Sequence, residues 1–356
     1  MTDGDGDGGA GTSIALRARV ADLPPAAFSV VMATGIVSTA ADLMGARPLA
    51  VALLALNLAI YLLLVGASIA RIAGAPDRVR ADFRSHAVAP GFFTMVAGTC
   101  VLGTELVVLV DWPIVATVLW GLGIVLWIGL IYGFFFTMTT LPAKPPLEQG
   151  LNGSWMLIVV ATQSVSALGS LLGPELGGAA DQALSFALGL FLLGCMFYIL
   201  LFSLILLRFL FFPFDPAKMT PPYWINMGAV AITTLAGSHL MLHAAEWDFL
   251  SQILPFLRAF TLLFWATATW WIPLLILLGA WRHIGRRVPL RYDFQYWSMV
   301  FPLGMYAVAT FRLGEALGWP FLEPVPILFG YLAIVAWIFA FTGLVRVIAG
   351  SGRGAG

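Results

Sequence analysis

The chain reads as an all-α integral membrane protein of ten transmembrane helices, with an inner ring of odd-numbered helices inside an outer ring of even-numbered ones. Three observations carry this. The 356 residues are 60% hydrophobic and only 10% charged, where a soluble domain has about 25% charged residues. The apolar residues fall into ten stretches, each close to the ~20 residues that cross a bilayer as a helix. Alternate stretches also differ in kind: every second one is rich in Gly, Ser and Thr, and those between are built of Leu, Ile, Val, Phe and Trp. A helix facing lipid has no reason to carry a run of hydroxyls, whereas a helix lining a path for something polar does.

Taken in order, residues 1–22 read as a disordered cytoplasmic tail. Its DGDGDGG string resembles part of a calcium loop but lacks the later Glu and the flanking helices of an EF-hand. Pro24 and Pro25 stand where a helix starts, as proline at a first turn should. The spans follow at 26–44, 49–72, 88–109, 112–136, 154–173, 183–210, 223–244, 255–281, 294–317 and 323–348. They form one membrane domain over 23–349, with a short cytoplasmic tail at 350–356. No loop is long enough to hold a soluble domain. The polar N-terminus and the lack of a small-residue cleavage pattern argue against a cleavable signal peptide. Cys100 and Cys195 both fall inside spans, at a spacing that suggests neither a metal site nor a disulfide framework. The net charge of zero gives no reason to expect a nucleic-acid partner.

Orientation follows from the positive-inside rule. With the N-terminus inside, only Arg47, Arg258 and Arg312 of the 18 Lys and Arg fall outside. The expected protein is therefore a multi-pass component of the plasma (inner) membrane with both termini cytoplasmic. Tryptophans near span ends, Trp112, Trp155, Trp224 and Trp319 among them, fit an interfacial belt.

The odd spans repeat one theme. Thr34 and Gly35 lie in the first, Thr99 in the third, and Thr162 and Gln163 in the fifth. Asn226, Gly228 and Thr233 lie in the seventh, and Gly304 in the ninth. Such a weak repeat of a helix pair, five times over, suggests hairpins arranged around an axis, and these residues are candidates to line it. Small residues also let membrane helices approach closely, and amides bond helix to helix. Packing explains single positions but not the alternation. No acidic or basic residue lies near the middle of an odd span. A path so poor in charge solvates an anion weakly, through hydroxyls and helix N-termini, and offers little to a cation or a carboxylate proton relay.

The sharpest local feature is Val300-Phe301-Pro302-Leu303-Gly304. Pro302 removes a helical hydrogen bond and bends the helix. From spacing alone Phe301 reads either as a core residue beside a kink or as a hydrophobic side chain closing a lumen. Arg312 and Glu315 stand at i, i+3 near the outer end, where they can pair or Arg312 can attract anions at the outer mouth. His239 and His243 lie one turn apart, without a third ligand that would make a metal site, and either could titrate near neutral pH.

Several of these segments resemble one family. Phe28-Ser29-Val30-Val31-Met32-Ala33-Thr34-Gly35-Ile36-Val37 is similar to the opening helix of the tellurite-resistance/dicarboxylate transporter family. That family includes bacterial tellurite-resistance permeases, fungal malate permeases, sulfite efflux pumps and plant slow-type anion channels. Gly91-Phe92-Phe93 fits its third helix, Pro222-Tyr223-Trp224-Ile225-Asn226-Met227-Gly228-Ala229 its seventh, and Tyr296-Trp297-Ser298-Met299-Val300-Phe301-Pro302-Leu303-Gly304 its ninth. The resemblance implies five hairpins in quasi-fivefold order, odd helices around a central pore with Phe93 among its lining candidates, and a homotrimer with one pore per subunit. By motif it puts the occluding phenylalanine at Phe301, just before Pro302. Phosphorylation of long tails, which controls the plant branch, has no counterpart in tails this short.

The function expected is passage of small anions, inorganic or C4-dicarboxylates such as malate, through a charge-poor pore occluded by Phe301. The alternative is a proton-coupled dicarboxylate or sulfite exporter working as a carrier. No intramembrane His/Asp/Glu constellation or HExxH suggests an enzyme, and no cofactor is expected. The expected partners are the anion, the lipid bilayer and copies of the chain itself.

Overall fold

The computed structural model describes residues 20–352. The first nineteen residues, with the DGDGDGG string, and the last four lie outside it. Among the described residues there is no strand, and ten helices are fifteen residues or longer. They are α1 (Ser29–Leu43), α2 (Arg47–Gly74), α3 (Phe93–Val110), α4 (Pro113–Thr140), α5 (Leu157–Leu172), α6 (Ala180–Phe211), α7 (Ile225–Leu242), α8 (Leu254–Ala280), α9 (Trp297–Leu317) and α10 (Pro324–Gly352). Eight helical stretches are long and apolar enough to cross a membrane. One of these, Gly153–Phe211, contains both α5 and α6. α9, which carries Pro302, Gly304, Arg312 and Glu315, is not among the eight.

The two sets of helices begin differently. Each odd helix is entered through a 3-10 turn: Pro25–Phe28, Ala89–Phe92, Gly153–Met156, Pro221–Trp224 and Phe294–Tyr296. These turns touch one another in sequence. Two glycines permit it: a Cβ on Gly91 would lie 2.9 Å from the Ala26 nitrogen, and one on Gly153 only 2.4 Å from the Pro222 carbonyl oxygen. Most even helices instead begin on a proline in the first turn, at Pro48, Pro113, Pro255 and Pro324. There the missing N–H has no intrahelical partner to lose.

Packing follows the chain in pairs. α1 packs on α2, α3 on α4, α5 on α6, α7 on α8 and α9 on α10. The odd helices also touch in a closed cycle: α1–α3, α3–α5, α5–α7, α7–α9 and α9–α1. Burial separates the sets. In Pro221–Leu242 94% of an apolar 18-residue stretch is buried, against 11% in Pro320–Ala349. Even helices present large apolar side chains outward, with Ile114 81% and Phe339 74% exposed. Such a surface suits hydrocarbon, where association rests on close packing and interhelical hydrogen bonds.

At the arginine-rich end, Val20–Asp22, the last part of the expected tail, is held in place. Arg71 donates to the Ala21 carbonyl at 3.2 Å and pairs with Asp82, and Arg78 pairs with Asp22.

Candidate functional site

The centre of interest is the start of α9. Phe301 is fully buried. Its neighbour Pro302 fits against Gly228 of α7, where a Cβ would lie 2.8 Å from the proline Cγ. Two residues on, Gly304 meets Ile36 of α1, whose Cγ2 would be 2.9 Å from a Cβ there. α9 is thus wedged between two odd helices by a proline and a glycine. Further along, Tyr306 shares a hydrogen bond with Thr269 of α8 at 2.7 Å, and Thr310 accepts from the Trp265 indole at 3.0 Å.

The hydroxyl-bearing residues of the odd helices follow a rule absent from the sequence reading. Their bonds to side chains of other helices run to even helices of the preceding hairpin, whereas Ser38 and Ser166 donate to the Ala50 and Ala187 carbonyls of their own hairpins. Thr99 bonds Tyr61 of α2 at 3.0 Å, Thr162 accepts from Trp127 of α4 at 2.9 Å, and Thr310 accepts from Trp265 of α8. Thr34 accepts from Trp337 of α10 at 3.0 Å, which closes the cycle on the first hairpin. At the α6–α7 seam Arg208 donates to the Tyr223 hydroxyl. Gln163 donates to the Phe191 carbonyl at 3.0 Å, in space left by Gly194 of α6. Phe93 meets Phe134 of α4 edge-on at 5.6 Å. Asn226 and Thr233 bond to the Tyr223 and Ala229 carbonyls beside them. The small and polar residues are brought together as seams between helices, with Gly228 and Gly304 joining odd helix to odd helix.

The remaining polar residues lie toward the helix ends. Arg312 pairs with Glu315 at 2.8 Å and lies over the Phe311 ring. His239 Nδ1 stands 3.1 Å from the Ala167 carbonyl of α5; a carbonyl only accepts, so this nitrogen carries the proton. At the arginine-rich end a groove of about 720 Å³ between α8 and α10 is lined by Arg282, Arg291 and Arg346, and by Tyr292 and Tyr296. Burial pushes both tyrosine hydroxyls above the ordinary tyrosine range, so they stay neutral donors.

One residue escaped the sequence reading. Glu105, in the outer half of α3, is fully buried and accepts from Asn57 Nδ2 of α2 at 2.5 Å. Gly35 makes room for this pair, since a Cβ there would lie 2.7 Å from Glu105 Oε2 and 2.9 Å from Asn57 Nδ2. The available signal was a carboxyl set among small residues in Gly103-Thr104-Glu105, with a lone amide, Asn57, in an otherwise apolar even span.

Long helices that are apolar outward and small and hydroxylated within define a multi-pass integral membrane protein. The chain belongs to the voltage-dependent anion channel (SLAC1) family, whose profile matches residues 22–345. Family membership makes it a channel or transporter rather than an enzyme. Proteins of two strains of Mycobacterium tuberculosis, each described as an uncharacterized membrane protein, are 40% identical over 152 residues, covering 43% of this chain and 77% of their own. An uncharacterized transporter of Methanocaldococcus jannaschii is 24% identical over 224 residues, 61% of this chain and 64% of its own.

Proposed function

We propose that the protein passes small anions, inorganic or C4-dicarboxylate, down their electrochemical gradient through a pore on the axis of the odd helices, closed by Phe301. The carrying observation is the closed cycle of odd-helix contacts combined with the pairing of each odd helix to its even partner. Five hairpins in quasi-fivefold order satisfy both. The direction of Phe301 supports the gate. Thr310, which bonds α8, lies nine residues further along α9. At about 100° per residue that is two and a half turns, so Phe301 occupies the face turned away from α8. Gly228 stands in the same relation to Gly237, whose Cβ would meet Thr261 of α8 and Phe191 of α6.

In this reading Thr34, Thr99, Thr162 and Gln163 hold the ring together, and the glycines set how closely its members approach. A hydrophobic ring in a narrow, charge-poor passage blocks ions because stripping their water is costly. Arg312 is paired with Glu315, which leaves a dipole rather than a free cation at the outer mouth. The conducting domain spans 23–349. The arginine-rich end faces the cytoplasm of the plasma (inner) membrane, and the protein assembles as a homotrimer.

The test is current across a planar bilayer under a chloride or malate gradient, for the wild type and Phe301→Ala. A large rise in anion-selective current in the variant is expected. No current in either protein, with radiolabelled malate still crossing proteoliposome membranes, would replace the gated pore with a carrier.

A further inference from the structure

We propose that Glu105 is a proton-binding site inside the membrane. Its carboxyl is held as the neutral acid in a two-way pair with Asn57, and release of that proton loosens the corner where α1, α2 and α3 meet, so that anion passage is under proton control. The control half of this proposal rests on the transport reading above; the protonation half does not.

The hydrogen-bonding capacity of the pair is one proton short. An ionised carboxylate only accepts, and an Asn side chain has two donors and one acceptor. One Asn57 N–H reaches Glu105 Oε2. The atoms left over, Glu105 Oε1 and Asn57 Oδ1, are both buried acceptors with no partner. Two orphaned acceptors on one bonded pair lack a single proton. Placed on Oε1 it turns that atom into a donor, and Asn57 Oδ1 is the acceptor the same amide holds ready, as in an acid–amide pair. Without the proton both atoms carry the cost of an unpaired buried polar group, and one of them bears charge.

No cation removes the need for it. From α1, Ser38 stands beside the carboxyl, but its one hydroxyl proton goes to the Ala50 carbonyl at 2.8 Å. Asp42, also of α1, pairs with Arg47 at 2.7 Å, and Arg47 caps the Leu109 carbonyl at the end of α3. From α2, Tyr61 is engaged with Thr99, and Arg71 is bound to Asp82 at the far end. α3 itself adds Cys100 and, past its end, Asp111. α4 has only exposed Tyr132, and α5 has no ionisable residue. An intramembrane carboxyl without a cation is costly as an anion and marks a functional site by default.

Loss of the proton would act on α1 first. Gly35 lies against the carboxyl with no atom to spare, and an ionised Glu105 draws water or turns from Asn57 Oδ1. Either change pushes α1 outward, and α1 contacts α9 through Ile36 and Gly304, three residues from Phe301.

The experiment is an infrared pH titration of the full chain in lipid, wild type beside Glu105→Gln, followed by anion flux from the same proteoliposomes. Exposed carboxyls ionise near pH 4. The wild type should therefore show the carbonyl stretch of a neutral carboxylic acid at pH 7, lost on strong alkalinisation and absent from Glu105→Gln. Gln keeps an amide pair with Asn57 and so keeps the packing. Wild-type flux should change severalfold across the titration of that band, with the variant flat. A wild type lacking the band at pH 7 overturns the assignment whether or not the variant folds. The band together with pH-independent flux overturns the control. The band with no flux in either protein supports the proton site and counts against the transport reading.

Discussion

The odd and even helices of this protein invert the rule of soluble folds. The more apolar set is exposed and the less apolar set is buried, because the solvent around the even helices is hydrocarbon and the hydrophobic effect no longer sorts residues by greasiness. Close approach and hydrogen bonding do the sorting instead. Glycines make the difference visible. In the odd helices Gly35, Gly98, Gly103, Gly169, Gly228, Gly237 and Gly304 each have a neighbour within 3.4 Å of a would-be Cβ, whereas Gly66, Gly121, Gly129, Gly189 and Gly279 of the even helices have open space. The even-helix exceptions meet protein: Gly194 holds Gln163, Gly123 the Cys100 sulfur, Gly330 the Met44 sulfur and Gly343 the Tyr292 ring.

The harshest challenge to this comparison is Gly153→Ala, which sets a methyl against the backbone of the neighbouring 3-10 turn, 2.4 Å from an oxygen. We expect about 3 kcal/mol of destabilisation or more, read as loss of monodisperse protein in detergent; a normal yield and melting temperature would break the picture of stacked turns. Gly228→Ala comes next, pressing on the rigid Pro302 ring. A cost of about 1–3 kcal/mol is expected, together with altered basal current, because the proline adjoins Phe301. Smaller effects are expected along the seams. Trp127→Phe, Trp265→Phe and Trp337→Phe each delete one indole N–H to a threonine, for about 0.6 kcal/mol and at most ~1.7. Trp112→Phe, at an exposed position, should leave the melting temperature unmoved, and equal losses in all four would show that the threonine bonds contribute nothing. Least of all, Gly121→Ala and Gly129→Ala should be neutral or stabilising by about 0.5–1 kcal/mol. Destabilisation there would mean that these faces are covered by protein.

Much of the fold was legible because membrane spans advertise themselves. The span expected at 183–210 is the helix Ala180–Phe211, and that at 294–317 ends where α9 ends, at Leu317. The alternation of small and large residues correctly marked which helices are buried. It did not reveal what the hydroxyls do. A threonine facing a lumen and one facing an indole on another hairpin have the same local sequence, and the partner of Thr34 lies 303 residues away. Glu105 was passed over for a related reason. Near a span end a carboxyl looks like an interfacial charge, and only the fold brings Asn57 and the space beside Gly35 to it.

The bond between Thr34 and Trp337 has a temporal side. α1 leaves the ribosome first, yet the indole its hydroxyl meets is made 303 residues later, roughly 15–60 s at about 5–20 residues per second. For that interval the first helix is in the bilayer with its outward hydroxyl face uncovered, beside an arc of hairpins that cannot yet shut. The quality-control window of this protein is therefore set by its last hairpin, and a chain stalled before α10 would be an open stave structure offering its polar seams to any insertase or protease that surveys the membrane.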